Sequence, residues 1–136
     1  MIVVDTNVLA YLWIPGPFTA RSESLLRHDP TWAAPPLWRS ELRNVLVNHM
    51  RAGHATRRAA LSAMERADEL MTENTMEVPT PEVLDLAARS GCSAYDCEFV
   101  ALAVALSVPL VTCDRKLAKA FPGVARLLDQ AVEGDV

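Results

Sequence analysis

Cysteine is scarce in this chain, and its arrangement excludes two classes of protein at once. Cys92, Cys97 and Cys113 are odd in number and show no C-x-x-C spacing, which removes both a disulfide framework and a zinc knuckle. They are expected to be small buried thiols. A basic surplus is also missing. Thirteen Lys and Arg stand against 17 Asp and Glu, a net charge of −4, whereas phosphate binding usually draws on excess cations. That balance would count against a nucleic-acid partner unless part of the acidity were cancelled by a divalent metal, with local cations left at Arg39, Arg43, Arg51, Arg57, Arg58, Lys116 and Lys119. Long apolar runs are absent too. The uncharged stretch over 99–113 contains Ser107 and Pro109 and falls short of the roughly 18 to 20 apolar residues of a membrane span. The opening Met1-Ile2-Val3-Val4-Asp5 lacks a basic region before an apolar one, so no secretory signal is read there and a cytoplasmic protein is expected.

What is present is enough for one folded domain over residues 1–136, with 51% hydrophobic and 22% charged residues and no low-complexity segment, repeat or linker. Ile2-Val3-Val4 is a short β-branched run ended by Asp5-Thr6-Asn7, residues that favour caps and helix starts. An apolar helix follows over 8–13, Pro15-Gly16-Pro17 breaks it, and a second helix covers about 19–27. Trp32-Ala33-Ala34 reads as a brief strand, and Pro35-Pro36 opens a long helix with Trp38, Leu42, Val45, Leu46 and His49 at helical spacing up to Gly53. A second long amphipathic helix over 55–71, with Leu61, Met64, Ala67, Leu70 and Met71 on one side, completes a hairpin. Further on, the pattern predicts a short strand at 75–78 and a helix from Pro81 to Ser90 closed by Gly91. A helix over 93–107 follows, with Tyr95, Phe99, Leu102, Ala103 and Leu106 in register. Then come a strand at 109–112, a short helix over 115–120 and a last edge strand at 124–128. Short apolar strands alternating with helices imply a three-layer α/β/α domain with a central parallel sheet.

Four acids occupy structurally privileged places. Asp5 and Asp114 each follow a β run and project from the carboxyl edge of the sheet, where such folds place their sites. Asp96 lies three residues after Ser93 at a helix start, and Glu41 lies one turn into its helix beside the polar stripe of Asn44 and Asn48. Singly, each has a structural explanation: helix caps for Asp5 and Asp114, a capping box for Asp96, a solvated helix position for Glu41. Spacing alone does not bring the four together.

The motifs around them resemble those of PIN-domain ribonucleases of the VapC toxin type. Val3-Val4-Asp5-Thr6-Asn7-Val8-Leu9 is similar to the first motif of that family and Ser40-Glu41-Leu42 with Val45-Leu46 to the second. Ala94-Tyr95-Asp96-Cys97-Glu98-Phe99-Val100-Ala101-Leu102-Ala103 is similar to the third and Leu110-Val111-Thr112-Cys113-Asp114 to the fourth. Order and separation match across nearly the whole chain. The resemblance implies a PIN-like fold and an endoribonuclease that depends on Mg²⁺ or Mn²⁺. It also implies a toxin paired with a VapB-type antitoxin, and a homodimer. It assigns catalysis and metal binding to Asp5, Glu41, Asp96 and Asp114, and accessory polar roles to Asn7 and Thr112. Some relatives carry a further acid where this chain has Lys116-Leu117, so one or two ions remain open.

Other readings find less support in the residues. An aspartate-dependent phosphatase needs an acid two positions after the first, where Asn7 stands, and a receiver domain needs a strand-end lysine, whereas Lys116 opens a helix. G-x-S-x-G and H-E-x-x-H are both absent. A catalytically inactive PIN-like interaction module and a free-standing RNA-processing nuclease are the remaining alternatives.

Overall fold

The computed structural model describes residues 1–133. Four short strands form its sheet: β1 (Ile2–Val4), β2 (Trp32–Ala33), β3 (Leu110–Thr112) and β4 (Ala125–Leu127). Their order is β2-β1-β3-β4 and every pairing is parallel, with Val3 opposite Leu110 and Val4 opposite Val111. All three residues of β1 and of β3 are buried. Successive strand residues point to opposite faces, so unbroken burial means that helices cover both sides of the sheet. The expected three-layer arrangement is therefore the observed one.

The helices are α1 (Thr6–Ala10), α2 (Thr19–His28), α3 (Leu37–Arg51), α4 (Arg57–Met71), α5 (Thr80–Ser90), α6 (Ala94–Leu106), α7 (Arg115–Ala120) and α8 (Leu128–Glu133). Local chemistry fixes their ends. Thr56 caps α4 by accepting from the Ala59 N–H, and Ser93 caps α6 by accepting from the Asp96 N–H at 3.0 Å. Gly91 ends α5 at φ 74°, a left-handed conformation that glycine adopts without a Cβ penalty. Helix α6 is buried along the run from Phe99 to Ala103 as well as at Cys97, because it packs against β1 and β3 and is itself covered by α5. The hairpin of α3 and α4 is closed by an Arg39–Asp68 ion pair at 2.9 Å.

The structure departs from the expected elements in several places, the first being α1, which ends at Ala10 and leaves 11–13 as a turn. In α4 the buried stripe is Ala60, Ala63, Ala67 and Met71; Ala67 and Met71 of the expected face are buried, whereas Leu61 is 47% exposed. The expected strand at 75–78 is reduced to one bridge, Ala34 to Thr75. The Thr75 hydroxyl donates to the Met71 carbonyl at 2.8 Å and accepts from the Trp38 indole at 2.9 Å. The expected last strand ends at Leu127, and α8 follows immediately. Cys92 and Cys97 are buried and Cys113 is partly buried, all as free thiols.

Candidate active site

The strand order defines where a site belongs. From β1 the chain proceeds to β2 on one side, and from β3 it proceeds to β4 on the other. The carboxyl ends of β1 and β3 therefore flank the point at which the connections diverge, the crevice that open α/β sheets use for ligands. Asp5 follows β1 directly and its N–H donates to the Val111 carbonyl at 2.9 Å, tying the two strand ends together. Asp114 lies two residues beyond Thr112, the end of β3.

A cleft of about 420 Å³ opens at this edge. Its lining includes Asp5, Asn7, Glu41, Asp96 and Asp114. Four elements supply the acids: the start of α1, the second turn of α3, the first turn of α6 and the start of α7. Ser40 and Asn44 of α3 add polar groups, and Leu37, Val45 and Tyr95 add apolar surface. The sequence-assigned acids thus converge across more than a hundred residues of chain.

Hydroxyl groups hold the carboxylates in place. Thr112, fully buried, donates from Oγ1 to Asp5 Oδ2 at 2.7 Å and accepts from the Asp114 N–H at 3.0 Å, so one side chain fixes both strand-end acids. Asp5 Oδ1 accepts from the Thr6 N–H at 2.8 Å, and Thr6 Oγ1 donates to Glu41 Oε1 at 2.8 Å. Asp114 Oδ1 accepts from the N–H groups of Lys116 and Leu117 at 2.9 and 3.1 Å. Asp5 and Asp114 are therefore helix caps and cleft acids at once; the two roles coincide.

Burial pushes the Asp5 carboxyl above the ordinary range; its bonds to Thr112 and Thr6 oppose the shift, and the charges of Asp96 and Asp114 add to it. Glu41 is likewise raised, first by burial, against the pull of the Thr6 hydroxyl, and then by Asp5, Asp96 and Glu98. Negative charge is thus crowded in a partly desolvated cleft. Among the described residues no three metal-binding side chains are drawn into a ready-made cage. The donor set nevertheless suits a hard divalent cation: it is all oxygen, and Glu41 Oε2, Asp114 Oδ2 and the Asp96 carboxylate accept no hydrogen bond among the described residues.

Asn7 lines the cleft from α1, exposed, whereas Thr112 lies beneath it as a positioning residue. Thr6 was not singled out by sequence: its partner Glu41 is 35 positions away, and no local pattern marks that bond. Arg39, one of the cations available by sequence, is engaged by Asp68 and stacks 5.0 Å from the Trp38 ring.

Parallel strands, an acid-lined cleft at the switch point and four ordered motifs define a PIN-type α/β domain. The PIN domain family model matches residues 2–121, and the chain belongs to that family. Ribonuclease VapC3 of Pyrobaculum aerophilum is 29% identical over 127 residues, covering 90% of this chain and 96% of the relative. The crystal structure of PAE2754 from Pyrobaculum aerophilum superposes with a TM-score of 0.77 at 25% identity, covering 98% of this chain and 94% of that one. FitAcB from Neisseria gonorrhoeae shares the fold, with a TM-score of 0.67 at 20% identity over 92% of this chain and 96% of its own.

Proposed function

We propose that this protein is a Mg²⁺- or Mn²⁺-dependent endoribonuclease, the toxin of a type II toxin–antitoxin pair. The observation that carries the proposal is the convergence of Asp5, Glu41, Asp96 and Asp114 on one cleft at the sheet's carboxyl edge. Its membership of the PIN domain family and its similarity to a protein named Ribonuclease VapC3 support it.

Carboxylates alone repel a phosphodiester, so the cleft works only with charge compensation. A bound divalent cation would supply that charge and lower the pKa of a water near neutral pH. Asp5, Asp96 and Asp114 are the residues to hold it, directly or through water, with Thr112 keeping two of them in register. Glu41, with its proton affinity raised by burial, is suited to accept the proton of the attacking water, and Thr6 fixes its orientation. Water oxygen bonds to phosphorus as the bond to the 3′ oxygen breaks, leaving a 5′-phosphate on one fragment and, after protonation by solvent, a 3′-hydroxyl on the other. The 2′-hydroxyl takes no part.

The proposal extends to partners in the cytoplasm: RNA as substrate, a VapB-type antitoxin as inhibitor and a second copy of the chain as dimer partner. End-group analysis tests the chemistry. RNA digested by the purified protein in Mg²⁺ should carry 5′-phosphate and 3′-hydroxyl ends, and a substrate with a 2′-deoxy sugar at the cut should still be cleaved. Products ending in 2′,3′-cyclic phosphate would overturn the mechanism.

A further inference from the structure

Tyr95 is the most exposed of the cleft's apolar residues, at 64%. It directly precedes Asp96 in the first turn of α6. That turn is held by the Ser93 cap, whose hydroxyl accepts from the Asp96 N–H. The expected helical register counted Tyr95 with buried Phe99 and Leu102, yet its ring stands largely in water. Nothing in the core requires an aromatic side chain there, and among the described residues the phenol makes no hydrogen bond. The remaining apolar lining of the cleft, Leu37 and Val45, comes from α3. A rigid aromatic face beside a phosphodiester-cutting site has one obvious complement in the substrate, the flat face of an unpaired base.

We infer that Tyr95 is a stacking platform for one nucleobase next to the scissile phosphate. The inference rests on the ribonuclease reading and deepens it. A divalent cation held by the acids would fix the phosphate, and a ring one residue away from Asp96 would hold a neighbouring base. Every base has a π face, so the platform favours single-stranded segments without naming a sequence. Duplex RNA, with its bases enclosed, cannot use it.

The test is steady-state cleavage of single-stranded oligoribonucleotides by the parent protein, Tyr95→Phe and Tyr95→Ala. Each substrate is also made with an abasic residue at successive positions around the cut. Thermal unfolding of all three proteins checks that the fold is kept. Tyr95→Phe should retain the parent KM. Tyr95→Ala should raise KM by about 5- to 100-fold, the range expected for losing one base–aromatic stack, with a smaller effect on kcat. The parent should be penalised by an abasic residue at one particular position, and Tyr95→Ala should lose that penalty. An active parent with unchanged KM and an unchanged abasic penalty in Tyr95→Ala would overturn the platform alone and point the ring toward a protein partner. If Tyr95→Phe fails as badly as Tyr95→Ala, the hydroxyl and not the ring is at work, which also overturns it. A parent that cuts no RNA would overturn the ribonuclease reading together with this inference.

Discussion

Asp5 is held between Thr6 and Thr112 at a place where burial works against its charge. Burial raises its carboxyl, and that of Glu41, above the ordinary value. In the unfolded chain both titrate normally, so between the ordinary and the raised values the native state binds more protons. Stability must then fall as pH rises through that interval, and level off once both are ionised. Without divalent metal, Asp5→Asn and Glu41→Gln should therefore be more stable than the parent at pH 7, while below the ordinary carboxylate range the difference should vanish. Urea denaturation in EDTA at both pH values measures this, and equal or lower stability of both variants at pH 7 would contradict it. The same substitutions should abolish catalysis, a conflict between stability and activity common at such sites. Thr112 is the converse case. Thr112→Val keeps the shape but leaves Asp5 Oδ2 and the Asp114 N–H without their partner. A loss of about 1–3 kcal/mol is expected for a buried polar group left unpaired, with activity reduced roughly 10- to 100-fold if Asp5 and Asp114 hold a metal as proposed. Denaturation and cleavage rates on the same preparation separate the two effects. Thr112 could be named from its place in the fourth motif, whereas Thr6 could not. A hydroxyl that begins one helix and bonds an acid on another leaves no trace in local sequence.

Elements that owe their form to local chemistry were legible. Strands β1 and β3 are β-branched or apolar runs that end at acids, Gly91 sits at a left-handed helix end, and Ser93 caps α6. Ser93→Ala should cost about 1 kcal/mol, the usual worth of such a cap. It should also weaken catalysis by loosening the turn that carries Tyr95 and Asp96, and Ser93→Asp should recover the stability. A Ser93→Ala protein with unchanged denaturation midpoint would show that packing by α5, not the cap, holds that turn. Features set by packing were less legible. Apart from Met71 the buried residues of α4 are alanines, which carry little hydrophobic signal, and counting the largest apolar residues rotates the face toward Leu61. The 75–78 segment has strand-like composition, yet it pairs with β2's neighbour Ala34 only at Thr75. Four acids could be singled out from their element ends; that they meet is a property of the strand order, which spacing does not encode.

At the scale of the whole molecule the charge balance acquires a meaning. A net charge of −4 is poorly matched to RNA, yet several of those charges crowd one cleft, where a divalent cation would convert a repulsive surface into a phosphate site. Metal that binds only the native state stabilises it by about 2.7 kcal/mol at a hundred times its dissociation constant. For a domain of this size that corresponds to a rise in Tm on the order of 10 °C. Mn²⁺ added to EDTA-treated and dialysed protein should produce such a rise, much reduced in Asp5→Asn and Asp96→Asn, and an equal rise in parent and variants would place the ion elsewhere. Among the described residues no helix is long and apolar enough to cross a membrane. Whether the acid cleft cuts RNA with a divalent metal is read out by incubating the purified protein with end-labelled RNA. The reactions contain Mg²⁺ or Mn²⁺, or EDTA, and a folded Asp96→Asn variant runs in parallel. Cleavage should disappear both in EDTA and in the variant; cleavage that survives Asp96→Asn, or that needs no metal, would mean that the acid cleft is not the cutting site.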